Sequence, residues 1–81
     1  MRVEISPSAA KYISRLDVPT RERFKKALKK LSLEPPEGDI VSLSGRDGFR
    51  LRIGNYRVLF DVSDNSVIVY DVDTRGQVYK K

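Results

Sequence analysis

The sequence predicts an α+β domain in which an N-terminal strand and a helical hairpin pack on one face of a mainly antiparallel sheet. Three observations carry this expectation: a short alternating stretch at the N-terminus, helical spacing up to Leu31, and a two-residue period from Phe49 onward. A chain of 81 residues has room for one such core, so residues 1–81 are expected to form a single domain.

Arg2 to Ser6 alternates polar and apolar side chains, with Val3 and Ile5 on one face, as a half-buried strand does. Ser6-Pro7 then reads as a helix N-cap followed by proline at the first helical position, and Ala9, Ile13 and Leu16 fall on one helical face. The first helix is expected to run to about Asp17. Pro19 restarts the chain, and Phe24, Ala27, Leu28 and Leu31 form the apolar stripe of a second helix, supported by a Glu22 to Lys26 pair. Glu34-Pro35-Pro36-Glu37-Gly38 stops it. A loop of roughly 15 residues is expected next, long enough to be tied to function or mobility, with Ile40 and Leu43 pinning it to the core.

From Phe49 the alternation is regular. Phe49, Leu51 and Ile53 share one face with Tyr56, Val58, Phe60 and Val62, and the glycine-led loop Gly54-Asn55 between the runs marks a hairpin. A third strand, about Val67 to Asp73, follows Ser63-Asp64-Asn65-Ser66, and Gln77 to Lys80 would extend or end the sheet.

Composition removes many chemistries. With neither cysteine nor histidine, the chain has no disulfides, zinc sites, thiol nucleophiles or imidazole acid-base groups, and no metal or cofactor is expected. Nothing approaches the roughly 20 apolar residues of a membrane span, so the expected location is the cytoplasm. A net charge of +5 and a pI near 9.7 suggest a polyanionic partner.

The hairpin concentrates that charge. A two-residue turn at Gly54-Asn55 sets Arg52 directly opposite Arg57, with Arg50 on the same face. Opposed like charges cost about 0.2–1 kcal/mol in a sheet, and the planar guanidinium fork matches phosphate oxygens, so an anion is the natural counterpart. Pairing with Asp61, Asp71 or Asp73 is the structural alternative. Lys25, Lys26, Lys29 and Lys30 on the second helix, with Lys80 and Lys81, either contact RNA phosphates or simply form a solvated surface. A base-stacking platform is disfavoured, because Phe49, Tyr56 and Phe60 point to the core and leave Tyr12, Tyr70 and Tyr79. Tyr79 sits in a basic context, and its alternative role is to cap the core.

The run Phe49-Arg50-Leu51-Arg52-Ile53-Gly54-Asn55-Tyr56-Arg57-Val58, with the closing Arg75-Gly76-Gln77-Val78-Tyr79, resembles the RelE/ParE toxin superfamily, and its RelE branch in particular. The resemblance extends from about Arg2 to Lys80. It implies a RelE-like fold of the microbial ribonuclease type and a toxin of a type II toxin-antitoxin system. The activity implied is a metal-independent endoribonuclease that cuts messenger RNA in the ribosomal A site by driving a 2′-hydroxyl onto the adjacent phosphate. The partners implied are the ribosome and a RelB-like antitoxin in a hetero-oligomer.

By the same resemblance, Arg50 and Arg52 match the basic residues of the active strand, Arg57 the arginine that steadies the transition state, Arg75 the basic residue after the last strand, and Tyr79 the tyrosine that orients or stacks on the RNA. Two departures bear on the chemistry. Arginine stands where the family carries lysine, and Thr74 stands where histidine often precedes the Arg75 position. Arginine is a poor general base, which leaves proton transfer to Tyr79, water or ribosomal groups. The other readings are a ParE-like inhibitor of DNA gyrase and an inactive RelE-fold binding domain.

Overall fold

The computed structural model describes residues 1–45 and 47–74. The elements run β1 (Arg2–Ile5), α1 (Pro7–Ser14), α2 (Val18–Leu31), β2 (Ile40–Ser42), β3 (Phe49–Ile53), β4 (Tyr56–Ser63) and β5 (Ser66–Thr74). The strands form one sheet in the order β1-β5-β4-β3-β2. Only the β1–β5 pair is parallel, and both helices pack on the sheet to give the α+β architecture expected.

Local chemistry explains most boundaries. Ser6 caps α1, its Oγ accepting from the Ala9 amide at 3.2 Å, and Pro7 opens the helix. The helix stops at Ser14, short of the expected Asp17, and Asp17 instead becomes the N-cap residue of α2. A helix continuing through Pro19 would lose an amide donor and press the ring onto the Arg15 carbonyl, so the chain turns before it. Leu16 leaves the helix yet still packs against the core. On α2 the ion pair is Glu22 with Lys25 at 4.0 Å, in place of the expected Lys26.

Phe24, Leu28 and Leu31 bury the apolar stripe of α2 against Leu51, Val58, Phe60, Val67 and Val69. Phe49 stacks on Phe60 with ring centres 5.5 Å apart, and Tyr56 meets Phe24 edge-on at 5.3 Å. The core side of the hairpin is thus aromatic, as its alternation requires.

Both hairpin turns follow the primed geometry that suits twisted strands. Gly54 takes φ +58° at the first central position of the β3–β4 turn, and Asp64 and Asn65 take φ +48° and +64° in the β4–β5 turn. The long loop contains a strand that the alternation did not reveal. β2 is three residues long and pairs with β3, Ile40 opposite Leu51.

One irregularity sets the outer face. Leu59 pairs with Asp71 but Phe60 pairs with Val69, so Tyr70 is an extra residue in β5. The inward set therefore changes parity, from Val67 and Val69 before the bulge to Val72 after it, all buried. Asp71 and Asp73 are delivered to the opposite face.

Candidate functional site

On the face away from the helices, the strand registers align four charges in one row. Arg52 of β3 lies opposite Arg57 of β4, and Arg57 lies opposite Asp73 of β5. At the other end, just before β2, Asp39 accepts from Arg52 twice: its carbonyl takes the backbone amide and its Oδ2 takes Nε, both at 3.0 Å. The row reads acid, arginine, arginine, acid. The next row holds Val41, Arg50, Leu59 and Asp71.

Flanking carboxylates offset the repulsion between the two central guanidiniums, so their juxtaposition does not by itself demand an external anion. The three arginines nevertheless differ. The Arg52 side chain is 48% exposed and attached to Asp39 through Nε at 3.0 Å. Arg57 is only 4% exposed, Arg50 is half-buried, and both are engaged within the fold. The arrangement can present one guanidinium to a phosphate while two behind it reinforce the positive field.

Tyr12 of α1 stands edge-on to Tyr56 at 6.3 Å. Burial pushes its phenol above the ordinary range, and the carboxylate of Asp73, Tyr56 and Asp71 add to the effect. It is therefore a neutral hydroxyl at physiological pH rather than a phenolate base.

The α2 lysines divide. Lys26 and Lys30 line a recess of about 300 Å³ that also includes Arg23 and Arg52. Lys25 lies on another side, in the groove between α1 and α2, while Lys29 shares a second recess with Lys26, Lys30 and Leu33. Arg75, Tyr79, Lys80 and Lys81 lie outside the described residues. A recess of about 590 Å³ is lined by Pro36, Glu37, Ile40, Phe49, Phe60 and Val62 and includes none of the three arginines. Among the described residues no cluster of carboxylates is placed to hold a metal ion, and no helix is long and apolar enough to cross a membrane.

Sequence reasoning overlooked Asp39 and Arg23. Asp39 became visible only with β2, the strand that brings it beside Arg52. Arg23 lies over the hairpin turn so closely that a Cβ on Gly54 would stand 2.7 Å from its Nη2. Its place on the same helical face as Lys26 and Lys30, three and seven residues on, was a readable signal.

A family model described as ParE toxin of type II toxin-antitoxin system, parDE, matches residues 3–79. The chain belongs to this toxin family. Its fold is that of RelE toxins within the same superfamily. The toxin is 28% identical to the archaeal RelE of the RelE-RelB complex from Pyrococcus horikoshii OT3, with a TM-score of 0.81 over 94% of this chain and 96% of that one. It is 26% identical to the isolated E. coli RelE toxin, with a TM-score of 0.70 over 90% and 82% of the two chains. The RelB-RelE complex from Methanococcus jannaschii shares the fold at 21% identity, with a TM-score of 0.78 over 94% of each chain. Among curated proteins, none matches the sequence.

Proposed function

We propose that this toxin is a ribosome-dependent endoribonuclease that cuts messenger RNA in the A site through attack of a 2′-hydroxyl on the adjacent phosphate. The observation that carries the reading is the exposed guanidinium of Arg52 backed by Arg57 across the ladder and Arg50 on the same face. The half-exposed Arg52 guanidinium is held at Nε and keeps its Nη donors, which would suit the non-bridging oxygens of a phosphorane and stabilise its added charge. Arg57 and Arg50 supply field from behind. Arg75 and Tyr79 are assigned to the same site by the family resemblance.

No arginine serves as a base, and Tyr12 holds its proton firmly. The toxin's contribution is then positioning and charge stabilisation, with proton transfer left to Tyr79, water or ribosomal groups. Imposed near-attack geometry is worth on the order of 7–11 kcal/mol, which accounts for a requirement for the ribosome. Purified toxin added to a translation extract should produce primer-extension stops at A-site codons, while naked RNA is cut poorly. Rapid cleavage of naked RNA would sink the mechanism.

The proposed regulator is a RelB-like antitoxin, because similar RelE chains occur in complexes with RelB. A ligand that binds only the folded toxin stabilises it by RT ln(1 + [L]/Kd), so Tm should rise as cleavage falls. The proposed site of action is the cytoplasm, where ribosomes are.

The family description favours one further reading, a ParE-like inhibitor of DNA gyrase. An intact message together with blocked supercoiling in a gyrase assay would select it.

A further inference from the structure

The backbone fixes Asp39 against β3 without help from its side chain. Gly38 precedes it at φ +143°, and a Cβ at that position would stand 2.8 Å from Leu51 Cδ1. Ile40 follows it and pairs with Leu51, donating its amide to the Gly38 carbonyl at 3.0 Å. The Asp39 carbonyl then accepts the Arg52 amide, also at 3.0 Å, one residue beyond the β2–β3 register.

The carboxylate adds a second contact between the same two residues. Its Oδ2 accepts from Arg52 Nε at 3.0 Å, with the Asp39 and Arg52 side chains 54% and 48% exposed. An ion pair as exposed as this contributes little to folding, so stability is a weak account of it. The acid at the other end of the row has a different task. Asp73 Oδ1 accepts the amide of Thr74 at 2.8 Å and so serves its own strand.

Arginine carries its charge on a long stem and loses rotamer freedom when it grips a phosphate. A partner at Nε, the root of the fork, restrains the guanidinium plane in advance and takes no Nη donor for that contact. The same carboxylate repels a phosphate. Its effects on RNA therefore have opposite signs: weaker attraction and better orientation.

We propose that Asp39 is a positioning residue, which holds the Arg52 guanidinium through Nε so that the Nη donors meet the phosphate under attack. The anchor stands on the two contacts with Arg52. Its effect on cleavage rests on the ribonuclease reading above.

Asp39→Ala removes the carboxylate and keeps the backbone bond to Arg52. In ribosome-dependent cleavage kcat should fall about tenfold, less than the loss expected for removing Arg52 itself. KM should stay level or fall, because a negative charge has left the phosphate path, and the urea midpoint should not move. Asp39→Asn retains an acceptor oxygen at the same reach and should restore kcat to within about threefold of wild type. Added to Arg52→Gln, Asp39→Ala should change kcat by less than about twofold, since nothing remains to be positioned. Independently of activity, NMR should show the Arg52 Nε–H exchanging faster with water in Asp39→Ala than in wild type or Asp39→Asn.

An unchanged kcat in Asp39→Ala, equal losses in the alanine and asparagine variants, or a full further loss on top of Arg52→Gln would overturn the positioning role while wild-type cleavage stands. Unchanged Nε–H exchange in Asp39→Ala would overturn the anchor whether or not message is cut. A wild-type toxin that leaves ribosome-bound message intact removes the ribonuclease reading, and the positioning role with it.

Discussion

Arg52 and Arg57 face each other across the β3–β4 ladder but occupy opposite environments, one 48% exposed by side chain and held by Asp39, the other 4% exposed beside Asp73 in register. The same residue type therefore has different energetic consequences at the two positions. An exposed ion pair contributes little to folding, whereas a buried guanidinium has surrendered its water and depends on the fold for its partners.

Replacing Arg52 by glutamine should leave stability within about 0.5 kcal/mol of wild type, because loss of the Asp39 pair and relief of repulsion from Arg57 act in opposite directions. Ribosome-dependent cleavage should fall about 10²–10³-fold, the usual consequence of removing a donor that stabilises transition-state charge. Urea unfolding and cleavage on one preparation check both parts. Wild-type cleavage by Arg52→Gln would assign Arg52 to the scaffold.

Arg57→Gln should behave differently. Its amide cannot replace the contacts of a buried guanidinium, so the domain should lose about 1–3 kcal/mol and cleavage should fall as well. The urea midpoint separates the two arginines: a shift for Arg57→Gln and none for Arg52→Gln. Equal shifts would contradict their different burial.

Gly54→Ala should cost about 1 kcal/mol, because φ +58° is unfavourable for a residue with a Cβ. The new methyl group would also displace the Arg23 guanidinium, whose Nη2 lies 2.7 Å from the Cβ position. Urea unfolding reads the cost, and a wild-type midpoint would show that the turn does not need glycine.

Tyr12 predicts a one-sided pH dependence. With its folded-state pKa raised above 10.0, the folded chain retains a proton that the unfolded chain releases. Its contribution is constant below pH 10 and lost as the pH climbs through the folded value. Tyr12→Phe should flatten the alkaline limb of a stability profile and leave the neutral region unchanged, as followed by urea midpoints at increasing pH.

Much of this could be read from residue order, because the responsible effects are local. Ser6-Pro7 set the start of α1, the stripe from Phe24 to Leu31 set the buried side of α2, and Gly54-Asn55 fixed the register that opposes Arg52 and Arg57. The β5 bulge leaves its trace in the sequence as well, since Val67, Val69 and Val72 break their own alternation.

Other features required contacts between distant segments. β2 is too short to show a period and exists because β3 offers it an edge, and only that pairing brings Asp39 to Arg52, 13 residues on. Burial likewise distinguishes Arg57 from Arg52, although both sit at outward positions of alternating strands. The sequence by itself determined the elements other than β2, their inward faces and the arginine pair, through backbone propensity and periodicity acting over a few residues. Tertiary structure decided which arginine is exposed, which acids flank the pair and which α2 cations share a recess with Arg52, because solvent access and charge pairing depend on the arrangement of the whole sheet and helix layer.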